Sequence, residues 1–251
     1  MAENGHGGGG GEMHIDPMSQ FQIKPLFGGE MGLFTITNST LWMAIVVGAI
    51  SLLLIGGVQG RALVPSRLQS VAEMLYGFVR QMIVDIAGED GMKYFPYIFT
   101  LFTFVLFSNL MGMIPYAFTV TSHIAVTGVL ALIVFATVTA IGFLKHGTHF
   151  FGFFWPKDAP APLRPVLMII EIISYFVRPI SHSIRLGANM LAGHAVLKVF
   201  AGFVGPLALG GIVPLAVMVG LVGFEFLVAF IQAYVFAILT VVYLNDALHM
   251  H

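Results

Sequence analysis

The chain has no cysteine, and only 9% of its 251 residues are charged. The first absence excludes disulfides, thiolate chemistry and cysteine metal sites, while leaving the compartment open. The second excludes an ordinary soluble domain, in which about 25% of residues are charged. A net charge of -1 leaves no basic stripe for nucleic acid. The N-terminus also lacks an apolar run. The first one begins near Leu41, so the opening does not read as a cleaved signal.

What the chain has in abundance is apolar surface: 58% of its residues are hydrophobic, a composition expected of a protein dissolved in lipid. Residues 1–20 open with MAENGHGGGGGEMHIDP and read as a mobile tail within a flexible extracytoplasmic segment, 1–40. His6 and His14 could bind a metal there, but composition favours a plain leader. A single membrane domain, 41–248, and a short cytoplasmic end, 249–251, complete the expected organisation.

A helix needs roughly 20 apolar residues to cross about 30 Å of hydrocarbon. Residues 41–58, 95–118 and 122–144 meet that length, the last two parted by Pro115 and a short polar turn. Between the first two, residues 66–88 place Leu68, Val71, Leu75, Phe78, Val79 and Met82 at spacings of three and four. Arg67, Glu73, Arg80 and Asp85 interrupt them, so an amphipathic helix lying in the membrane interface is expected. Residues 211–244 carry one charge, Glu225; as one helix they reach about 51 Å, too long for an upright crossing and too short for two. Residues 164–203 are similar, with Pro179 and Gly187 as possible bends. The turn signal at 204–211 makes the two an antiparallel hairpin. The expected fold is therefore an all-α membrane protein: five membrane-crossing helices plus one interfacial amphipathic helix, the last two crossings forming a long, strongly tilted hairpin.

Basic residues give the orientation. Arg61, Arg67, Arg80 and Lys93 lie between the first and second crossings, and Lys145, Lys157 and Arg164 between the third and fourth. The intervening turns carry none. The positive-inside rule then puts the N-terminus outside and the C-terminus in the cytoplasm.

Ionisable side chains in hydrocarbon cost several kcal/mol and usually face a partner or a water path. Long stems let Lys198, Arg178 and Arg164 reach polar ground. Arg185 is different: Ile184, Leu186 and Ala188 surround it, and no acid lies within four positions, so its partner must come from another helix or another chain. Aligning Arg185 with Gln232 in an antiparallel hairpin brings Glu171 opposite Asp246 and His194 close to Glu225. Glu171 then lies roughly 21 Å from Arg185 and His194 roughly 13.5 Å beyond it on the other side. An acidic station and a His/Glu station would flank the arginine, as a proton relay requires. On residues alone, a channel and a proton-coupled transporter remain equally open. Duplicated halves with paired broken helices, the transporter signature, are not recognisable. A purely structural assembly subunit would not explain the polar stations.

The runs SIRLGANMLAGH (183–194), FIQAYVFAILTVVYL (230–244) and SNLMGMIPY (108–116) resemble helices of subunit a of F-type ATP synthases, and the likeness extends over roughly residues 40–248. The resemblance implies a proton-translocating stator subunit, not an enzyme on its own, with two offset half-channels separated by Arg185. It implies Gln232 as the arginine's partner, and proton-pathway or supporting positions at Glu171, Asn189, His194, Glu225 and Asp246. Implied partners are a c-subunit ring, b-type peripheral stalk subunits, the rest of the complex and membrane lipid, with no cofactor. Many bacterial relatives carry glutamate at the position of His194 and histidine at that of Glu225. The swap here matches mitochondrial relatives and, with the bacterial-type tail, gives the resemblance an alphaproteobacterial cast. Other polar residues read more plainly: His123 as an interfacial histidine, Asn109 as an interhelical hydrogen-bond partner, His146 and His149 as loop residues, and the glycines at 187, 193, 202, 220 and 223 as points of close packing.

Overall fold

The computed structural model describes residues 23, 25, 35–58, 66–114, 117–155, 160, 162–204 and 208–249. The expectations for the tail with His6 and His14, for Arg61, Pro115 and Lys157, and for the final residues 250–251 lie outside them. Apart from an isolated bridge between Pro25 and Thr37, the regular structure is helical. Six α-helices follow in order: α1 (Asn38–Val58), α2 (Arg67–Gly91), α3 (Phe95–Gly112), α4 (Ile124–His146), α5 (Arg164–Val204) and α6 (Ile212–Leu248). Short 3-10 turns at Met92–Tyr94, Val120–Ser122, Gly147–Phe154 and Ala208–Gly211 join or extend them.

Among the described residues, five stretches are long and apolar enough to cross a membrane: Asn38–Gly57, Arg67–Gly112, Ile124–Phe150, Arg164–Val204 and Ile212–Leu248. The chain is a multi-pass helical membrane protein. The amphipathic segment is capped by Ser66, whose hydroxyl accepts from the Gln69 N–H, and it breaks at Gly88, where φ is 64°. Only glycine adopts that conformation without strain, so the break is written into the sequence. Along α2, Leu75, Val79 and Met82 are buried as the periodicity requires, whereas Leu68 and Val71 remain exposed. The next crossing is shorter than expected. Its helix stops at Gly112 rather than continuing to 118, because a proline at 115 cannot donate to the helix and disfavours helical geometry before it.

The two long helices are unbroken. α6 runs 37 residues, about 55 Å, with no turn near Gly220 or Gly223. α5 runs 41 residues and carries Pro179 in its interior. In lipid, helices associate through close packing and polar contacts rather than through apolar burial. On α6 the small residues Ala229, Ala233 and Ala237 recur every fourth position and are all fully buried. They let α3 approach closely, with Phe102, Val105 and Leu106 beside them in a core that also holds Val79 and Ile83 of α2. Polar clamps fix the register. Asn109 donates to the Ala229 carbonyl (3.1 Å) and accepts from Thr121 (2.7 Å), bearing out its expected interhelical role. Thr127 meets Ser183 at 3.1 Å, and Thr139 meets the Tyr175 hydroxyl at 2.6 Å, joining α4 to α5.

Candidate functional site

Arg185 falls near the middle of α5, about 31 Å from the helix start. It is exposed on the outer face with Ile184, Ala188 and Asn189, and it makes no hydrogen bond or ion pair with a described residue. Gln232, its expected partner, is buried in α6 and forms no hydrogen bond to it. The guanidinium thus faces away from the bundle, toward whatever covers this side.

Nine residues along α5, His194 and Glu225 come together. Their Nδ1–Oε1 separation is 2.6 Å, and both side chains are buried, at 10% and 6% exposure. The ring is held twice more: Nδ1 lies 3.0 Å from the Met190 carbonyl oxygen, and Nε2 lies 2.9 Å from that of Gly112. Nδ1 therefore faces both the Met190 carbonyl and the Glu225 carboxylate, and its close approach to Oε1 is a charge or proton-sharing contact. All three neighbours of the ring are acceptors. Only a doubly protonated imidazole donates to carbonyls from both nitrogens at once. Gly193 makes room for the pair, since a Cβ there would lie 2.7 Å from Glu225 Oε1.

Two cavities meet at this pair. One, about 270 Å³, is bounded by Gly112, Met113, Ala117, His194, Lys198 and Glu225. The other, about 420 Å³, is a groove between α5 and α6 that includes Asn189, Gly193, Glu225, Ile231 and Gln232. Glu225 lines both. Asn189 is one helical turn from Arg185, so the groove leads from the buried pair to the arginine's face.

On the other side of Arg185 the register reading needs correction. Asp246 does not pair with Glu171. It accepts from Arg178 at 3.2 Å, and the Arg178 guanidinium lies over the rings of Tyr243 (4.8 Å) and Tyr175 (5.5 Å). Carrying the register from His194–Glu225 would set Asp246 opposite Ile173. Helical side chains lean toward the N-terminus, so the long arginine reaches back the extra turn. Arg178 is therefore a paired residue, not one extended to the interface. Glu171 is half-buried and has no ion pair among the described residues. Sequence reasoning passed over Arg178 as a partner, although its place two turns before Arg185 on the same helix was a usable signal.

Two other described histidines make local contacts. His146 contacts the Ala247 carbonyl at 3.1 Å. His123 occupies the N-cap position of α4 without a side-chain capping bond and stacks on Phe118 at 4.9 Å, and burial lowers its pKa below the usual imidazole value. Among the described residues no group of three or more His, Cys, Asp or Glu could hold a metal ion. Of the glycines read as packing points, Gly187 and Gly193 have close neighbours, whereas Gly220 and Gly223 face open space.

An unpaired cation on the apolar outer face of a long helix, beside a buried His/Glu pair reached by cavities, defines a membrane protein that handles ions within its span. Comparison with known proteins specifies the class. The family model described as "ATP synthase A chain" matches residues 39–245, and the chain belongs to that family. It is similar to ATP synthase subunit a of Dinoroseobacter shibae, 62% identical over 94% of this chain and 95% of that protein. ATP synthase subunit a of Paracoccus denitrificans is 57% identical over 99% of both chains. That of Rhodobacter capsulatus is 60% identical over 86% of this chain and 94% of its own.

Proposed function

We propose that this protein is the proton-translocating stator subunit of a rotary F-type ATP synthase in a bacterial inner membrane, a conducting component and not the catalytic one. The observation that carries the reading is the unpaired, outward-facing Arg185 at mid-helix. A guanidinium exposed to hydrocarbon costs from about 3 to more than 10 kcal/mol, so the bare face requires an anionic partner. A ring of c subunits, each with a mid-membrane carboxylate, supplies it. The Arg185 charge lowers the pKa of each carboxyl that passes and lets it ionise. Arginine itself stays charged, so it separates two half-channels without carrying the proton.

Protons enter through the cavity beside Lys198, pass His194 and Glu225, and reach the ring by way of Asn189 and Gln232. After rotation they leave past the Arg178–Asp246 end and Glu171. The exposed apolar face of α5 and α6, with Ile184, Val196, Phe224 and Phe230, supports a long tilted contact with the ring. The charged outer side of α2, with Arg67, Glu73, Arg80 and Asp85 exposed over a buried apolar side, supports an interfacial position and contact with b-type stalk subunits. Lys93, Lys145 and Arg164 lie at the helix ends that carry the C-terminus, which supports a cytoplasmic position for that end by the positive-inside rule.

The test is Arg185→Ala in the assembled complex. ATP synthesis is abolished and membranes become passively leaky to protons, whereas Arg185→Lys keeps the barrier better but still impairs synthesis. Normal coupling in the alanine variant, measured as ATP-driven proton pumping, rules the mechanism out.

A further inference from the structure

His182 lies three residues before Arg185 and is 4% exposed; the Phe236 backbone is within its reach, yet neither of its ring nitrogens has an aligned hydrogen bond with a described residue. Buried side-chain polar atoms rarely go unpartnered without a reason, such as a proton-transfer role or a bound water. Its ring sits edge-on to Phe236, with centroids 4.0 Å apart, and 6.2 Å from the ring of Tyr243. Beside it is a cavity of about 20 Å³ bordered by Tyr175, Arg178, Pro179 and Tyr243. A buried water needs roughly 10–15 Å³ by this measure and two to four polar partners. The lining is mostly apolar; His182, Arg178, Tyr175 and Tyr243 are the residues on it that carry polar groups, and the Tyr175 hydroxyl is already bonded to Thr139 at 2.6 Å.

We infer that His182 and a single water in this cavity form a proton station between Arg185 and the Arg178–Asp246 pair. The inference rests on the proton-conducting reading above. Tyr175 and Arg178 of α5 and Tyr243 of α6 line the cavity with the ring, Arg185 lies one turn further along α5, and Asp246 adjoins through its ion pair with Arg178. The α4 side contributes the apolar Ala131, Val134, Phe135 and Val138. A proton released near Arg185 binds the lone pair of the neutral ring. The resulting imidazolium gives up one N–H proton to the water, and the water passes one of its own to the Asp246 carboxylate. Asp246 releases it to the cytoplasmic side, so ring, water and carboxylate all return to their starting charge. The two guanidiniums repel a proton held on the ring, and the Asp246 carboxylate paired with Arg178 attracts it. The station also explains why Asp246 is tied to Arg178: an ion-paired carboxylate accepts a proton only transiently and passes it on.

The experiment compares His182→Gln and His182→Leu in the complete complex, in inverted vesicles. Proton uptake and ATP synthesis are measured across the neutral pH range. Glutamine keeps hydrogen-bonding capacity and much of the volume but cannot titrate. Both variants are expected to assemble and to lose roughly tenfold in proton flux, less than the 10²–10⁴ of a positioned acid–base group because water offers a bypass. The pH dependence of the residual flux flattens. Wild-type flux and pH profile in the glutamine variant overturn the proposal, as does failure of that variant to assemble, because either result assigns His182 a packing role. Arg185→Ala in the same vesicles separates the two readings. If it stays coupled, the proton-conducting reading fails. If it uncouples while His182→Gln behaves as wild type, only the His182 station fails.

Discussion

The two polar stations on either side of Arg185 differ in burial and in chemistry. His194 and Glu225 are buried at 10% and 6% exposure and lie where two cavities meet. Arg178 and Asp246 are more open, at 21% and 36%, and the arginine is braced between two tyrosine rings. Imidazole and carboxylate both titrate near neutrality when suitably placed, so the first pair can share and move a proton. Arginine does not deprotonate, so the second pair is an electrostatic anchor whose carboxylate alone can take a proton. The hairpin is therefore asymmetric: at one end both buried groups can exchange a proton, and at the other only the carboxylate can.

The largest effect expected from this contrast is at the buried pair. His194→Leu or Glu225→Leu removes an acceptor and strands its partner, and each cuts proton flux by roughly a hundredfold. Exchanging the two residues, His194→Glu with Glu225→His, recovers more flux than either half-exchange, because half-exchanges leave two like groups whose coupling moves one of them away from neutrality. Proton uptake by inverted vesicles measures this. If the double exchange only adds the two single losses, the residues do not act as one station.

Gly193→Ala comes next. The added Cβ would sit 2.7 Å from Glu225 Oε1, so the carboxylate or the helix must shift. Flux should fall severalfold while the complex still assembles, whereas Gly220→Ala, which meets nothing within 4 Å on its own chain, should be silent unless the ring packs there. Equal behaviour of the two alanines would break the link between Gly193 and the pair.

Arg178→Gln tests the anchor. A partly exposed ion pair contributes about 1 kcal/mol or less, so the complex should stay assembled with flux lowered a few-fold, and Asp246→Asn should affect flux more than stability. A leak as large as that of Arg185→Ala would mean that the anchor, too, is part of the barrier. Smallest is Asn109→Leu. Its two interhelical hydrogen bonds are worth about 0.6 kcal/mol each on average in membranes, so a small drop in thermal stability of the purified complex is expected with little change in flux.

Much of the fold was legible because lipid imposes simple rules. An unsatisfied backbone is intolerable in hydrocarbon, so long apolar runs had to be helices, and their lengths announced α5 and α6 as single elements. The amphipathic spacing of α2 was equally plain, and Gly88 ended it. The His194–Glu225 pair was legible from register alone because both side chains lie near the level of their own backbones. Register failed at Asp246, where a flexible four-bond arginine reached a full turn along its helix. It also missed the orphaned ring of His182, since a sequence does not say which atoms lack a hydrogen bond.

Taken alone, the sequence determined the number of crossings, the excess length of the last two and the cation of α5 that lacks an acidic neighbour on its own helix. These follow from local chemistry: hydropathy, helix rise and the conformational limits of glycine and proline. Only the tertiary structure decided that Arg185 faces outward while Gln232 is buried, that Asp246 belongs to Arg178, and that cavities meet at Glu225. Those outcomes depend on how helices rotate and cross, and the rotation is fixed by small residues, clamps such as Asn109–Ala229 and side-chain reach, none of which is set by any one segment of chain.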